Sequence, residues 1–551
     1  MRRMRGFGAA AGLLSAAGLV LIAGPGPAPA AQQLAQPVVT GAVQVTDNPN
    51  PVRAHMLPQI ARNPKNGELV VAEADARGTR ECVVHISSNE GHTWFTGGGF
   101  MVRPFTDCSI GAEFGPVAMP FFDRNGILYV AFSANDPAKL LDSTRPVSTT
   151  DVREDIPRNA YLAKSTDGGR TFTTALVHAG KEGSTQTAYV DAPTGAVDPI
   201  DVRNVYVAFA VGDWSNEKDA IRSMVSASTD GGKTFAPPVE VNGGAGADYP
   251  WIVVDKAGTV HTAFFTRGVG QPAADPTQTR INGRAQPTPI VHARSTDHGK
   301  TWVRQNLDPG NQRIYRTPAL ATDLNTGAIY SVWHGYPDPM NFTANSQGKD
   351  RTDIYFRASL DGGKTWGDRI VINDDPQSGV NHESPGISVA PNGRIDVAWY
   401  DYRFTPRAVG NAGLQDVFYS SSSDGGKTFT KNVRITDRSI DRTIGVYGGA
   451  IGSSINVGVA STDDAVFFAW QDSRNGRPAT QAEDVYSASI RFTETQAAAS
   501  ESSGDDTNGW LLVLTGVALG AGVAMTVVWL VLRGRGGGGG HPATAAAAGT
   551  G

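Results

Sequence analysis

Ser228-Thr229-Asp230-Gly231-Gly232-Lys233-Thr234-Phe235 recurs in near-copies along most of a 551-residue chain. The others span 87–94 (with Asn89 in the Asp position), 165–172, 295–302, 359–366 and 422–429. Six copies of Ser-x-Asp-x-Gly-x-Thr-aromatic make a repeat, and each part suits a tight turn. A short carboxylate or amide accepts hydrogen bonds from backbone N–H groups just downstream, and the glycines supply positive φ. The aromatic is left to pack. The turn residues are Asn89, Asp167, Asp230, Asp297, Asp361 and Asp424.

Alternating, strand-like runs precede the octets at 81–86, 160–164, 223–227, 289–294, 353–358 and 416–421, and others follow, as at 369–373 and 432–436. Between octets lies a further hairpin, clearest at 249–264, 317–333 and 384–399. Four strands per repeat make a propeller blade. Inner hairpins begin near Met56, Gly115, Ala188, Tyr249, Thr317, Ser384 and Ile455, so the expected fold is all-β, a propeller of seven blades, with six as the alternative. The seventh blade lacks an octet and an outer strand. Ala42-Val43-Gln44-Val45-Thr46-Asp47, similar to 432–437 of the sixth, is expected to dock there and close the ring. Gly98-Gly99 and Gly448-Gly449 read as turns, and 135–158 and 268–286 as long polar loops, either solvated or rimming a ligand site.

The octets resemble the Asp box, or BNR repeat, of sialidases and related β-propellers. That resemblance implies that they sit at the outer turns of the blades, away from the central pocket. The ligand face is then the opposite one, where the second strand of each blade ends and the next blade begins. Charged and polar residues gather at those positions: Glu73, Asp75, Arg77, Asp136, Asp213, Arg267, His334, Asp401, Arg403, Asp472 and Arg474, then Arg53, His55, Asp107, Glu113, Asp248, Arg313, Arg316, His382, Glu383 and Tyr447. Arginines as bidentate donors and carboxylates as acceptors suit an anionic or polyhydroxylated ligand. The expected ligand-binding set is Arg53, Arg267, Arg316, Arg403, Arg474 and Asp472. The repeated units Trp399-Tyr400-Asp401-Tyr402-Arg403 and Trp470-Gln471-Asp472-Ser473-Arg474 have a second reading, as internal Asp–Arg braces. Sialidases use an arginine cluster, a Tyr–Glu nucleophile pair and an Asp acid/base, which the resemblance places on Tyr447, Glu383 and Asp401. Their first-blade arginine motif is met here by His55-Met56-Leu57-Pro58, with methionine in the arginine slot. The best match, Tyr315-Arg316-Thr317-Pro318, falls in the fifth blade.

The ends of the chain speak of export. Arg2, Arg3 and Arg5, an apolar run over 9–23 and Ala28-Pro29-Ala30 form a secretion signal over 1–30. The expected propeller covers 31–492, followed by a polar linker (493–508) and a membrane-spanning helix over 509–532. Arg533 and Arg535 then begin a short cytoplasmic tail, 533–551. This places the protein on the cell membrane, single-pass, with the propeller outside. Cys82 and Cys108, the only cysteines, are expected to pair in that oxidising compartment. A net charge of −5 without a basic stripe argues against nucleic acid. No zinc-spaced His/Cys cluster or phosphate-cradling glycine loop is present, so no metal or cofactor is expected. The expected partner is a glycan or another polar extracellular ligand; the alternative is a non-catalytic scaffold that binds a protein or an envelope polymer.

Overall fold

The computed structural model describes residues 38–75, 82–99, 118–135, 158–180, 188–213, 221–244, 246–266, 280–281, 284–285, 290–308, 318–335, 352–376, 379–405, 413–445 and 456–492. The secretion signal, the linker, the spanning helix and the tail lie outside them, as do Cys108, Arg267, Arg316 and Tyr447. Among the described residues there are strands and turns but no helix, so none long and apolar enough to cross a membrane.

Apart from one two-stranded hairpin, the described strands form seven antiparallel sheets of four or five strands in sequence order. The innermost strands are His55–Arg62, Ala118–Phe122, Ala188–Val197, Ala247–Val254, Ala319–Thr322, His382–Val389 and Gly458–Ser461. Each pairs with its successor, and that with the next, as in His382–Val389, Ile395–Asp401, Leu414–Ser422 and Val433–Arg434 of the sixth blade. The seventh blade is completed from the other end of the chain. Val38–Val39 and Val43–Gln44 both pair with Asp484–Arg491, so the closing strand begins a few residues before the expected 42–47.

The octets lie between the third and fourth strands and repeat one set of bonds. In the third blade Ser228 Oγ donates to Asp230 Oδ1 at 2.7 Å while accepting from the Gly232 N–H at 2.9 Å. The Thr234 N–H and hydroxyl donate to the two oxygens of Asp230 at 3.0 and 2.6 Å. Asn89 keeps this arrangement by accepting from the Thr93 N–H and donating its amide to the Thr93 hydroxyl. The aromatics have a longer-range job. Trp94, Phe172, Phe235, Trp302, Trp366 and Phe429 each pack into a different apolar cluster, the one between their own blade and the preceding blade. The interface of the sixth and seventh blades has no octet to seal it, and Val39, Ala42 and Phe492 pack there instead.

Two expectations are corrected. Gly98-Gly99 is not a turn but part of the strand Phe95–Gly99. A Cβ on Gly98 would stand 2.3 Å from the Arg170 carbonyl oxygen, so glycine is there because the second blade's octet turn runs against the strand. The segment 268–286 is not all loop, since Arg280–Ile281 pairs with Arg284–Ala285.

The inner strands carry a bulge that the octets did not announce. Leu57, Ala192, Tyr249 and Ser384 have φ between 50° and 55°, each directly precedes a proline, and each marks a register shift against the second strand. Non-glycine residues held at positive φ cost on the order of 1–3 kcal/mol each. Contacts between blades hold them. Gln59 Nε2 donates to the Asn456 carbonyl at 2.7 Å, Thr194 Oγ1 to the Pro250 carbonyl at 2.9 Å, and the Ser384 N–H to His334 Nδ1 at 3.1 Å. Gly386 is needed for this collar, since a Cβ there would lie 1.9 Å from the Val457 carbonyl oxygen.

Candidate functional site

Second strands end, and next blades begin, on the face opposite the octets. Among the described residues, polar groups crowd that face around the sixth, seventh and first blades, at the heads of strands whose lower halves are apolar. Glu73, Asp75, His55, Glu383, His382, Asp401, Asp472, Glu483 and Asp484 are all buried there.

The two Trp-x-Asp-x-Arg units adopt one geometry. Trp399 Nε1 donates to Asp401 at 3.0 Å, and the Arg403 Nε and Nη2 donate to the same carboxylate at 3.0 and 2.8 Å. Trp470 Nε1, Arg474 Nε and Arg474 Nη2 meet Asp472 at 3.0, 2.9 and 2.7 Å. Each guanidinium also lies 4.0 Å from a ring centroid, Phe418 for Arg403 and Tyr486 for Arg474. Arg403 reaches on to Asp374 and Asp375, and Arg474 to Asp437. Asp401, Arg403, Asp472 and Arg474 are therefore brought together in pairs, each pair bracing the loop of its blade.

Arg53 belongs to the ring closure. Its Nε and Nη2 form a fork on Asp484 at 2.6 and 2.7 Å, and Asp484 also accepts from Thr46 at 3.2 Å and Asn475 at 2.9 Å. One buried carboxylate so ties the N-terminal strand, the head of the first blade and the last loop of the seventh. Glu383 heads the innermost strand of the sixth blade, opposite Tyr400 in register and next to the strained Ser384.

Two histidine clusters flank these groups. Glu73, fully buried, accepts from His55 Nδ1 and His85 Nε2 at 3.1 Å each. Burial alone would raise its pKa, but the two imidazoles outweigh burial and hold the carboxyl at about 2. Burial pulls His55 down, and Glu73 more than offsets it, leaving the imidazole above its ordinary value. In the sixth blade His382 Nδ1 lies 2.7 Å from the Thr352 carbonyl, and its Nε2 lies 3.0 Å from Asp375 and 3.5 Å from Asp401. Burial lowers the His382 pKa, but the bond to Asp375 and the charge on Asp401 push it upward overall.

Asp375, His382 and Asp401 are spaced so that they could hold a metal ion. The donor set fits a proton better. Arg403 Nη2 already touches both carboxylates, at 3.2 and 2.8 Å, so their charge is met by a guanidinium. With Nδ1 donating to Thr352, a ring protonated on Nε2 gives Asp375 the hydrogen it faces.

Sequence reasoning missed Asp484, Glu483 and Arg442. Arg442 is among the largest fully buried side chains, 3.6 Å from Glu483, and among the described residues neither terminal nitrogen has a hydrogen-bond partner. Glu483 in turn packs against Gly445, where a Cβ would meet its carboxylate at 2.4 Å. Neither residue lies in a repeated unit, so no internal comparison pointed to them. Asp484 could have been found from Asp416 of the sixth blade, since Asp472 faces Asp484 as Asp401 faces Asp416.

No family model matches the chain. A sialidase from Micromonospora viridifaciens is 31% identical over 98 residues, which is 16% of this chain and 15% of that protein's length. Among solved structures, the GH93 α-L-arabinofuranosidase of Fusarium graminearum is 12% identical with a TM-score of 0.46, covering 83% of this chain and 99% of its own. The Hadza microbial sialidase Hz136 is 16% identical with a TM-score of 0.42, covering 77% and 73%.

Proposed function

With the chain a sialidase-like Asp-box propeller, we propose that it is a surface-anchored protein that recognises glycans on the face opposite its Asp boxes. The observation that carries this reading is the crowding of buried carboxylates, arginines and histidines at the strand heads of blades six, seven and one. Such groups offer the convergent acceptors and donors that sugar hydroxyls need, on rigid elements beside the channel. The short stretch shared with a sialidase supports it.

In this reading the secretion signal delivers the propeller outside, Cys82 and Cys108 pair to pin the first blade, and the segment 509–532 anchors the chain in the membrane. Hydrolysis, if it accompanies binding, is of the exo-glycosidase type, with Glu383 and Tyr447 as the nucleophile pair and Arg267 and Arg316 as ligand donors. Asp401 accepts from Trp399 and Arg403 together, so its part is to hold that arginine in place.

A non-catalytic reading also has a specific support. Arg53, Arg403 and Arg474 are each already forked onto an aspartate, which spends the donors that an anionic sugar would require. The test is turnover of a panel of fluorogenic glycosides, sialosides included, by the purified protein beside Glu383→Gln and Arg316→Ala variants, with glycan-array binding in parallel. Turnover lost in the variants establishes the hydrolase. Array binding without turnover establishes the scaffold, and neither result on any sugar overturns the glycan reading.

A further inference from the structure

The central channel changes character along its length. At its deep end the collar uses its own polar side chains: Gln59 and Thr194 both donate to carbonyls of neighbouring blades. Below the collar, all seven inner strands contribute to a cavity of about 550 Å³ that runs toward the Asp-box face, a volume within the range of small-molecule sites. Most of its wall is apolar, including Ile60, Met119, Phe121, Trp251, Ile387 and Val459, with Thr322 among the polar groups. Phe121, Trp251 and Val459 are only partly buried, so this apolar surface meets the open channel. Between one and four residues of each strand line it, and four residues of a strand span a depth of roughly 13 Å at about 3.3 Å per residue.

The mouth differs again. Asp123 and Asp198 stand there, but their carboxylates are taken up by their own turns. Asp123 accepts from the Asn125 and Ile127 N–H groups at 2.9 and 2.8 Å, and Asp198 from the Ile200 N–H and the Asn204 amide at 2.8 and 3.1 Å. The cations are not so occupied. Arg62 and Arg124 are exposed at the rim, and among the described residues Arg124 gives one hydrogen bond, from Nη1 to the Pro199 carbonyl at 2.9 Å, while the charges of Asp464 and Asp201 lie near Arg62 and Arg124. Leu324, 52% exposed, completes an apolar lip.

We propose that this channel, entered from the Asp-box face, is a binding site for a single-chain amphiphile with an anionic head. The acyl chain fills the apolar barrel and the head meets Arg62 and Arg124. The site is separate from the glycan face, since it opens at the other end of the inner strands. An apolar chain suits the barrel because most of the side-chain surface of its wall is apolar, so filling it removes that surface from solvent. A carboxylate or phosphate suits the rim because guanidinium forks bind such groups bidentately.

The test is calorimetric titration of the full-length protein with dodecanoate below its micelle concentration, beside dodecanol. Saturable binding is expected, weakened at least tenfold by Val389→Arg, which places a charge on the wall. Arg62→Glu with Arg124→Glu should weaken dodecanoate at least tenfold and leave dodecanol nearly unchanged. Thermal melts identify any variant that fails to fold, and Ala196→Met is the second wall variant, filling the barrel without charge. Saturable binding of lysophosphatidylglycerol, weakened in Arg62→Glu with Arg124→Glu, would assign the site to a membrane lipid, and dodecanoate binding without it to a free amphiphile. No saturable binding, or wild-type affinity in folded Val389→Arg or Ala196→Met, overturns the proposal.

Discussion

The two faces of the propeller are built on different logics. On one, six octets repeat the same Ser–Asp–Gly–Thr bonds, and each hands an aromatic to the interface with the preceding blade. On the other, among the described residues, two blades share the Trp-x-Asp-x-Arg brace and a Thr–Asp bond, Thr436 to Asp416 and Thr46 to Asp484, while most of the remaining polar groups differ from blade to blade. Repetition marks what the fold needs six times over. Departure from repetition marks what happens once, and ring closure is such an event.

The comparison breaks most readily at Asp484, which has no counterpart on the octet face. Asp484→Ala leaves the Arg53 guanidinium without its carboxylate and frees Thr46 and Asn475, at a cost of about 3 kcal/mol. Chemical denaturation should show that loss, and a loss under 1 kcal/mol would mean that the closure is held by strand pairing alone. Phe429→Ala should cost about 2 kcal/mol, less than a fully buried phenylalanine because this ring is partly exposed. If the octets are equivalent, Phe172→Ala should cost a similar amount; a difference beyond 1 kcal/mol would show that the interfaces are unequal.

Within an octet, Asp361→Ala removes acceptors from the Lys364 and Thr365 N–H groups and the Thr365 hydroxyl, comparable to the loss of a helix cap at about 1 kcal/mol. Asn89→Asp should be nearly neutral, because the amide already makes the turn. A stabilisation above 1 kcal/mol would show that the first octet is a weakened copy.

The smallest effects concern pH, and the faces differ in sign. Burial pushes Asp424 up, but the Thr428 and Ser422 hydroxyls and the Thr428 and Lys427 N–H groups together outweigh it and hold the carboxyl at about 2, below its ordinary 3.8. Its contribution is present above 3.8 and is lost as pH falls through about 2, so Asp424→Asn should flatten the acid limb of stability. His382 is raised above 6.5, so its contribution is fully present below 6.5 and is lost as pH rises through its folded value. Melting temperatures measured from pH 6 to pH 9 should fall in the wild type and stay flatter in His382→Asn. Parallel curves would remove the imidazolium from the brace.

How far the site was legible follows from the same contrast. The Asp401–Arg403 and Asp472–Arg474 braces could be read because the motif occurs twice and its members are two residues apart. The partners of Arg53 and Glu73 could not. Arg53 meets a residue 431 positions away, and Glu73 is bonded by His85 from a neighbouring strand, and neither separation leaves a local pattern. The bulges at Leu57, Ala192, Tyr249 and Ser384 had a visible marker in the following prolines, yet proline alone does not say that the preceding residue will take positive φ.

What this sequence determined by itself is everything that is local and repeated: strands of period two, octet turns, four strands to a blade, and a ring closed by residues near its start. Hydrogen bonds spanning two to four residues depend on nothing beyond their own segment, so their residues reveal them. The tertiary structure alone decided which carboxylate meets which cation, where the collar divides the channel, and that the lower channel is mostly apolar. Those properties arise where seven inner strands converge, and each strand supplies only one side of a surface that exists when the ring is closed.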